Sequence, residues 1–188
     1  MNTIPLFPLN TVLFPDGHLA LQVFELRYLD MVRQCIAESR QFGVVALLQG
    51  SEVRKPEQAV TLAAVGTMAR VDGWTAPLPA LLQIECSGTA RFKIVAAEQL
   101  KNGLWMAQAA PLAPDPAVPV PPELQGVARA LGGAHGGPMH DDCGWVANRW
   151  CELLALDTQQ KQRLLEQENP VLRLELVSDL LAAQGLLE

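Results

Sequence analysis

Residues 7–28 read FPLNTVLFPDGHLALQVFELRY, and the way this stretch is read decides the fold. Phe-Pro occurs twice, at Phe7-Pro8 and Phe14-Pro15. Apolar, β-prone residues at 4–7 and 18–24 flank Pro15-Asp16-Gly17. That tripeptide is a turn signal: proline presets φ, and Gly17 is expected to accept the positive φ that closes the turn. Two short strands are therefore expected, IPLF and HLALQVF. The period then changes. In LRYLDMVRQCIAE, residues 26–38, Tyr28, Leu29, Val32, Cys35 and Ile36 recur at three- and four-residue steps, the apolar face of a helix. Arg27, Asp30, Arg33 and Arg40 fall largely on its other side. Glu25 and Arg27 stand where strand gives way to helix.

Further along, FGVVALL (42–48) is a continuous apolar run of strand length. LAAVGTMARVDGW (62–74) reads as the next strand, with Gly66 a bulge or a close backbone approach. LLQIECSGTARFKIVAAEQL (81–100) alternates apolar and polar around Ser87-Gly88, as a long bent strand or a hairpin would. GLWMAQAAPL (103–112) completes the series. Some six strands with short turns and one early helix predict a closed or nearly closed barrel over residues 1–110.

PLAPDPAVPVPP (111–122) holds six prolines, which predicts a stiff extended connector. Beyond it, residues 123–188 read as a helical subdomain. PELQGVARALG is expected to be a short helix stopped at Gly132-Gly133. GGAHGGPMHD (132–141) is expected to be a loop. In CGWVANRWCELLAL (143–156), Trp145, Val146, Arg149, Trp150 and Leu153 share helical spacing, with both tryptophans in the core. Asp157 and Gln160 form a capping-box pattern. Asn169-Pro170 caps a last helix that runs to Ala183, with Gly185 as its stop. Its buried stripe is expected to be Leu172, Leu176, Val177, Leu180 and Leu181.

Charge supports the division. The 188 residues carry a net charge of −6. Up to Ala110, 9 basic residues balance 9 acidic ones; from Pro111 onward 5 face 11. A nucleic-acid binder would need a basic stripe to neutralise phosphates, and none is present. The N-terminus, MNTIPLFPLN, lacks the basic and apolar regions of a secretory signal. No apolar run approaches a membrane span. Cys35, Cys86, Cys143 and Cys151 are read as reduced, mostly buried thiols, which predicts a cytoplasmic protein.

Chemistry-bearing motifs are missing. There is no phosphate-cradling Gly-x-x-x-x-Gly-Lys-Ser/Thr, no Gly-x-Gly-x-x-Gly and no His-Glu-x-x-His. No serine lies in a nucleophile elbow. Three constellations remain. His135, His140 and Cys143, with Asp141 and Asp142, are ligand types for a metal, but their spacing matches no standard zinc pattern. The alternative is a loop in which Asp141 or Asp142 caps the next helix. Cys143 and Cys151, eight residues apart on one helix, would lie about 12 Å apart, too far for a disulfide. Glu25 and Arg27 could be a catalytic acid and an electrophile. The rival reading makes them, with Gly17, structural: Glu25 at a helix N-terminus and Arg27 forked to carbonyls or a carboxylate.

The ordered combination of these stretches resembles the substrate-binding, N-terminal domain of the Lon ATP-dependent proteases. That family opens with Pro-Leu-Phe-Pro-Leu, matched by Pro5 to Leu9. A Phe-Pro-Gly turn follows, matched by Phe14-Pro15, with Asp16 before Gly17. Phe-Glu-Pro-Arg-Tyr comes next, matched by Phe24, Glu25, Arg27 and Tyr28, with Leu26 in the proline position. FGVVAL, VGTMARV and GTARFKIV resemble its strands, and WVANRWCELLALDTQQKQRLLEQENPVLRLELVSDLL resembles the helical part of short, free-standing members.

The resemblance implies an α+β protein: a mainly-β PUA-like pseudo-barrel followed by a C-terminal helical bundle. It implies a non-enzymatic, peptide-binding role in protein quality control, without the ATPase and protease domains and without a cofactor. Expected partners are unfolded or exposed apolar polypeptide segments, with full-length Lon as a further candidate. Trp74, in a loop DGWTAP, is the preferred contact, or else a plug closing the barrel. Phe14, Phe24 and Tyr28 are further contact candidates. Two rival classes stay open: a ligand binder or small enzyme built on Glu25, Arg27 and His18, and an RNA-binding PUA-like protein, which the net charge disfavours.

Overall fold

The computed structural model describes residues 2–52, 59–135 and 141–187, the side chains of 133–135 excepted. The chain forms two compact units, Met1–Ala113 and Pro114–Glu188. The first is mostly β-sheet and the second helical, so the fold is α+β.

The β unit contains β1 (Asn2–Leu9), β2 (His18–Val23), α1 (Leu26–Ala37), β3 (Phe42–Gln49), β4 (Thr61–Leu78), β5 (Leu81–Gln99) and β6 (Trp105–Pro111). The sheet order is β2-β5-β4-β3-β1-β6, and β5 also pairs β6. The chain of pairings therefore returns on itself through β1, β3, β4, β5 and β6. Only β1 and β3 run parallel. Their crossover carries β2 and α1, as a parallel pair requires. β5 serves two neighbours in turn, β2 along residues 82–87 and β6 along 92–99. It is one long strand, so Ser87-Gly88 does not turn a hairpin. β4 likewise runs unbroken through DGWTAP, so Trp74 lies in a strand rather than a loop.

The apolar face of α1 covers one side of the sheet. Tyr28, Leu29, Met31, Val32 and Cys35 pack with Phe7, Leu13, Val23, Phe42, Val44, Ala69, Leu82 and Ile84. Phe7 and Tyr28 stack with ring centroids 4.1 Å apart. On the other face the fully buried Phe92 ring is seated over two glycines. A Cβ at Gly43 would lie 2.7 Å from its Cζ, and one at Gly66 2.6 Å. Gly66 is thus a close backbone approach.

The turn that opened the reading has a different device from the expected one. Gly17 N–H donates to the Phe14 carbonyl over 2.9 Å, closing a β-turn. The positive φ belongs to Asp16 (58°), and Gly17 has none. Asp16 occupies the third turn position, where the left-handed region is required and short polar side chains tolerate it best after glycine. The turn is then locked to mid-β5. Asp16 N–H donates to the Gly88 carbonyl (3.0 Å), and Gly88 N–H to the Gly17 carbonyl (2.8 Å). A Cβ at Gly88 would overlap the Phe14 carbonyl oxygen.

The helical unit contains a short 3-10 turn (Pro122–Leu124), α2 (Gln125–His135), α3 (Cys143–Leu153), α4 (Thr158–Glu166) and α5 (Pro170–Ala183). α2 runs through Gly132-Gly133 instead of stopping there, so the expected loop does not begin at 132; residues 136–140 lie outside the described residues. The capping chemistry is as the sequence implies. Asp157 and Gln160 form a complete capping box, and the Asn169 side chain accepts from Val171 and Leu172 N–H. Gly185 sits at φ 68°, and Leu186 N–H returns to the Leu181 carbonyl, a left-handed helix stop.

The buried face of α5 differs from the expected stripe. Arg173, Leu174, Val177 and Leu181 are buried, whereas Leu172 and Leu176 are exposed. On α3, Val146, Arg149 and Trp150 are buried, Trp145 is half-buried, and Leu153 is exposed.

Arg173, 1% exposed, organises this unit. Its guanidinium contacts both Asp115 carboxylate oxygens (2.5 and 3.3 Å), Asn148 Oδ1 (3.1 Å), the Leu164 carbonyl (3.0 Å) and the Gln167 carbonyl. Asp115 belongs to the proline-rich stretch, which is therefore part of the helical unit from Pro114 on. The same stretch is held again where Val118 N–H donates to Asp142 and Cys143 N–H donates to the Val118 carbonyl.

Candidate functional site

The junction of strand and helix is built around Arg27. Although the helical wheel puts it with the polar residues, its side chain is only 8% exposed. Nε donates to Glu25 (3.1 Å), Nη1 to the Gly103 carbonyl (2.7 Å) and Nη2 to the Glu52 carbonyl (3.2 Å). Its plane lies over Tyr28, 4.4 Å from the ring centroid. A planar, five-donor fork suits such multipoint bonding. Each of these partners belongs to the protein itself, so the group ties three loops together. Burial raises the Tyr28 hydroxyl to about 12. Glu25 is the N-cap residue of α1, yet its side chain makes no cap hydrogen bond and serves Arg27 instead.

His18 does not join that pair. It sits at the opposite end of β2 and contacts Glu85 over 2.6 Å, both side chains more than half exposed. The trio Glu25, Arg27 and His18 therefore does not converge on a substrate.

Exposed apolar side chains gather instead at one end of the β2-β5-β4 region. Phe24 (59% exposed) and Leu26 (70%) follow directly on Val23, which pairs Leu82. Leu78 (60%) pairs Leu81 at the tip of the β4–β5 hairpin, and Trp74 (53%) pairs Ile84 a few residues back. Arg33 of α1 holds the hairpin tip through the Pro79 carbonyl (2.8 Å). Trp74 also lines an open cleft of about 370 Å³ with Cys35, Ile36, Arg40, Arg70 and Asp72. Its exposure rules out the plug reading. Asp72 accepts from Ser87 and from Arg70 Nε (2.8 Å), and these hydrogen bonds hold its carboxyl below the usual range.

The remaining candidates are placed elsewhere. Phe14 is fully buried and Tyr28 is 4% exposed, so both rings belong to the core and are closed to a partner in this conformation. Gly17 is held by Gly88, as described. His140 and the side chain of His135 lie outside the described residues. Cys143 is buried, with Sγ 3.5 Å from the Pro119 carbonyl. Asp142 caps α3 by accepting from Trp145 N–H (2.8 Å), and Asp141 accepts from Val120 N–H (3.2 Å). Among the described residues no group of three His, Cys, Asp or Glu is placed to hold a metal ion. All four cysteines are free and buried; burial pushes the thiols of Cys86 and Cys151 up to about 12.

Sequence reasoning missed Leu26 and Leu78 as exposed contacts. Leu26 was legible as an apolar residue standing where the resembled family has proline. Leu78 gave no signal until the hairpin register was known.

Among the described residues the β unit presents an apolar, solvent-facing end, the kind of surface by which a binding domain meets its ligand. Comparison with known proteins agrees. Residues 3–130 match the model of the ATP-dependent protease La (LON) substrate-binding domain, and the chain belongs to that family. It is similar to a Lon N-terminal domain protein from Xanthomonas campestris, with 31% identity, a TM-score of 0.80, and 95% of this chain and 98% of that one covered. The N-terminal domain of the Mycobacterium avium complex Lon protease shares the fold at 14% identity and a TM-score of 0.67, covering 95% and 97%. No curated protein sequence matches the chain significantly. Within these 188 residues neither an ATPase loop nor a protease dyad occurs.

Proposed function

We propose that this domain captures exposed apolar segments of unfolded polypeptides at the Phe24, Leu26, Trp74 and Leu78 surface. The observation that carries the reading is the clustering of these large apolar side chains, each more than half exposed, on one end of a rigid sheet. Large apolar side chains left in water together mark interaction surfaces. Aromatic anchors give the most contact area at the least entropic cost. Family membership supports the same role. We further infer that the closed circuit of strand pairings is a pseudo-barrel of the PUA-like type. The setting we propose is cytoplasmic protein quality control, compatible with four free buried thiols, and full-length Lon is a candidate partner. The Phe24 and Trp74 expectations persist in this proposal; Phe14 and Tyr28 do not.

The test is titration with a reduced, carboxymethylated unfolded protein, followed by tryptophan fluorescence and calorimetry. Saturable binding at about tens of micromolar is expected. Phe24→Ala with Trp74→Ala should weaken it about tenfold, as expected for loss of aromatic anchors. Absence of saturable binding would overturn the proposal.

A further inference from the structure

We propose that β2 receives an extended polypeptide segment as an added strand, so that the client's backbone, as well as its side chains, is recognised. The inference rests on the polypeptide-binding reading and states how that surface reads its ligand. Among the described residues β2 is the one strand of the unit with a single partner. β1, β3, β4 and β6 each have two, and β5 has three. One side of β2 therefore has no strand to bond its backbone N–H and C=O groups among the described residues.

Such edges invite pairing with another chain, and proteins ordinarily blunt them with proline, lysine, bulges or a covering element. Among the described residues this edge, HLALQV, carries no proline, no lysine and no bulge. Its register with β5 runs without a shift from His18↔Ser87 to Val23↔Leu82. By contrast, the β4–β5 and β3–β4 ladders are interrupted repeatedly. The side chains of the edge are equally permissive. His18, Ala20 and Gln22 are exposed, while Leu19 and Leu21 pack against the core and keep the strand flat on its sheet. Phe24 and Leu26 stand at the end of the same strand. They would meet an apolar side chain of a segment that runs along β2.

Backbone pairing is independent of side-chain identity. It suits a site that must hold many unfolded sequences, and a proline or a folded helix would be refused. The recognised class is thus an extended, proline-free segment bearing an aromatic or aliphatic residue.

The experiment uses a fluorescein-labelled peptide of alternating Val and Thr with a central Phe. Two further versions carry N-methyl groups on one or the other set of alternate amides. Anisotropy measures affinity for the whole chain, and amide hydrogen exchange reads residues 18–23. The expected result is that one methylated version loses affinity about tenfold or more while the other is nearly unaffected, because only one set of amides faces the edge. Amides of β2 should gain protection on binding. Equal binding of all three peptides without protection would overturn strand addition and leave polypeptide binding standing. No binding of any peptide would remove both. A dimer in sedimentation whose formation protects the same amides would assign the edge to a second copy of the chain and overturn the proposal.

Discussion

Arg27 in the β unit and Arg173 in the helical unit are buried arginines that each gather groups remote in sequence, and the two do different work. Arg27 in the β unit reaches two backbone carbonyls and one carboxylate that is itself 23% exposed. Arg173 in the helical unit is 1% exposed and meets Asp115, Asn148 and two carbonyls at the C-terminal end of α4, those of Leu164 and Gln167. Arg27 gathers loops around a sheet whose ladders already define it. Arg173 joins α3, α5, the α4–α5 link and the proline-rich stretch, which share no ladder. A sheet unit can lose its arginine and keep its hydrogen-bonded ladders; the helical unit has single bonds such as Val118 N–H to Asp142 and Trp150 Nε1–H to the Val127 carbonyl in their place.

The sharpest way to break that contrast is Arg173→Met. It removes the buried ion pair with Asp115 and the hydrogen bonds to Asn148, Leu164 and Gln167, and breaking such a pair costs about 3–5 kcal/mol. Arg27→Met should cost about 1–3 kcal/mol, since most of its partners are neutral carbonyls. Thermal unfolding followed by circular dichroism, with near-ultraviolet and helical signals separated, checks the order. Equal costs would remove the distinction.

Alkali probes both units at once. Tyr28 and Cys86 in the β unit and Cys151 in the helical unit are all raised to about 12 by burial. The ordinary values are 10.0 for the tyrosine and 9.0 for the thiols. The unfolded chain therefore gives up these protons first. Stability is complete below about pH 9 and falls steadily toward pH 12. Denaturant titrations across that range should show it, and Cys151→Ala should flatten the decline in the helical signal.

Gly88→Ala comes next. Its Cβ would overlap the Phe14 carbonyl oxygen, and overpacking of this kind costs about 1–3 kcal/mol. The loss should fall on the β unit alone. The smallest effect is expected at Asp16→Gly, which relieves a non-glycine residue at φ 58°. A change within about 1 kcal/mol, in the stabilising direction, is expected in chemical denaturation.

What the sequence made legible follows from range. Asp157, Gln160, Asn169 and Gly185 act on their own helix ends, so their roles were readable from a few neighbours. The strands of the β unit were readable because apolar alternation survives burial on one face. Partnership across the chain was not. α5 carries leucine at 172, 174, 176, 180 and 181, which fits more than one face. The choice is made by Arg173, whose partner lies at Asp115, and that turns Leu172 and Leu176 outward. Arg27 was misplaced for the same reason: its carbonyl partners at Glu52 and Gly103 are remote in sequence. At the site, Phe14 and Phe24 are chemically alike, and only the lock between the Phe14–Gly17 turn and Gly88 distinguishes the core ring from the exposed one. The positive φ at Asp16 was hidden because glycine beside it offered the easier explanation.

The pairing of β1 with β6 has a consequence for biosynthesis. Asn2 meets Ala109 and Leu6 meets Trp105, so the first strand of the unit to be made cannot complete its ladder until the last strand of the unit has emerged. Until then β1 has at most β3 beside it, and its outer edge is bare. Contacts of such long sequence separation form slowly, and an unpaired nascent strand is open to the wrong partner. The β unit closes its circuit of strands only when β6 has been made.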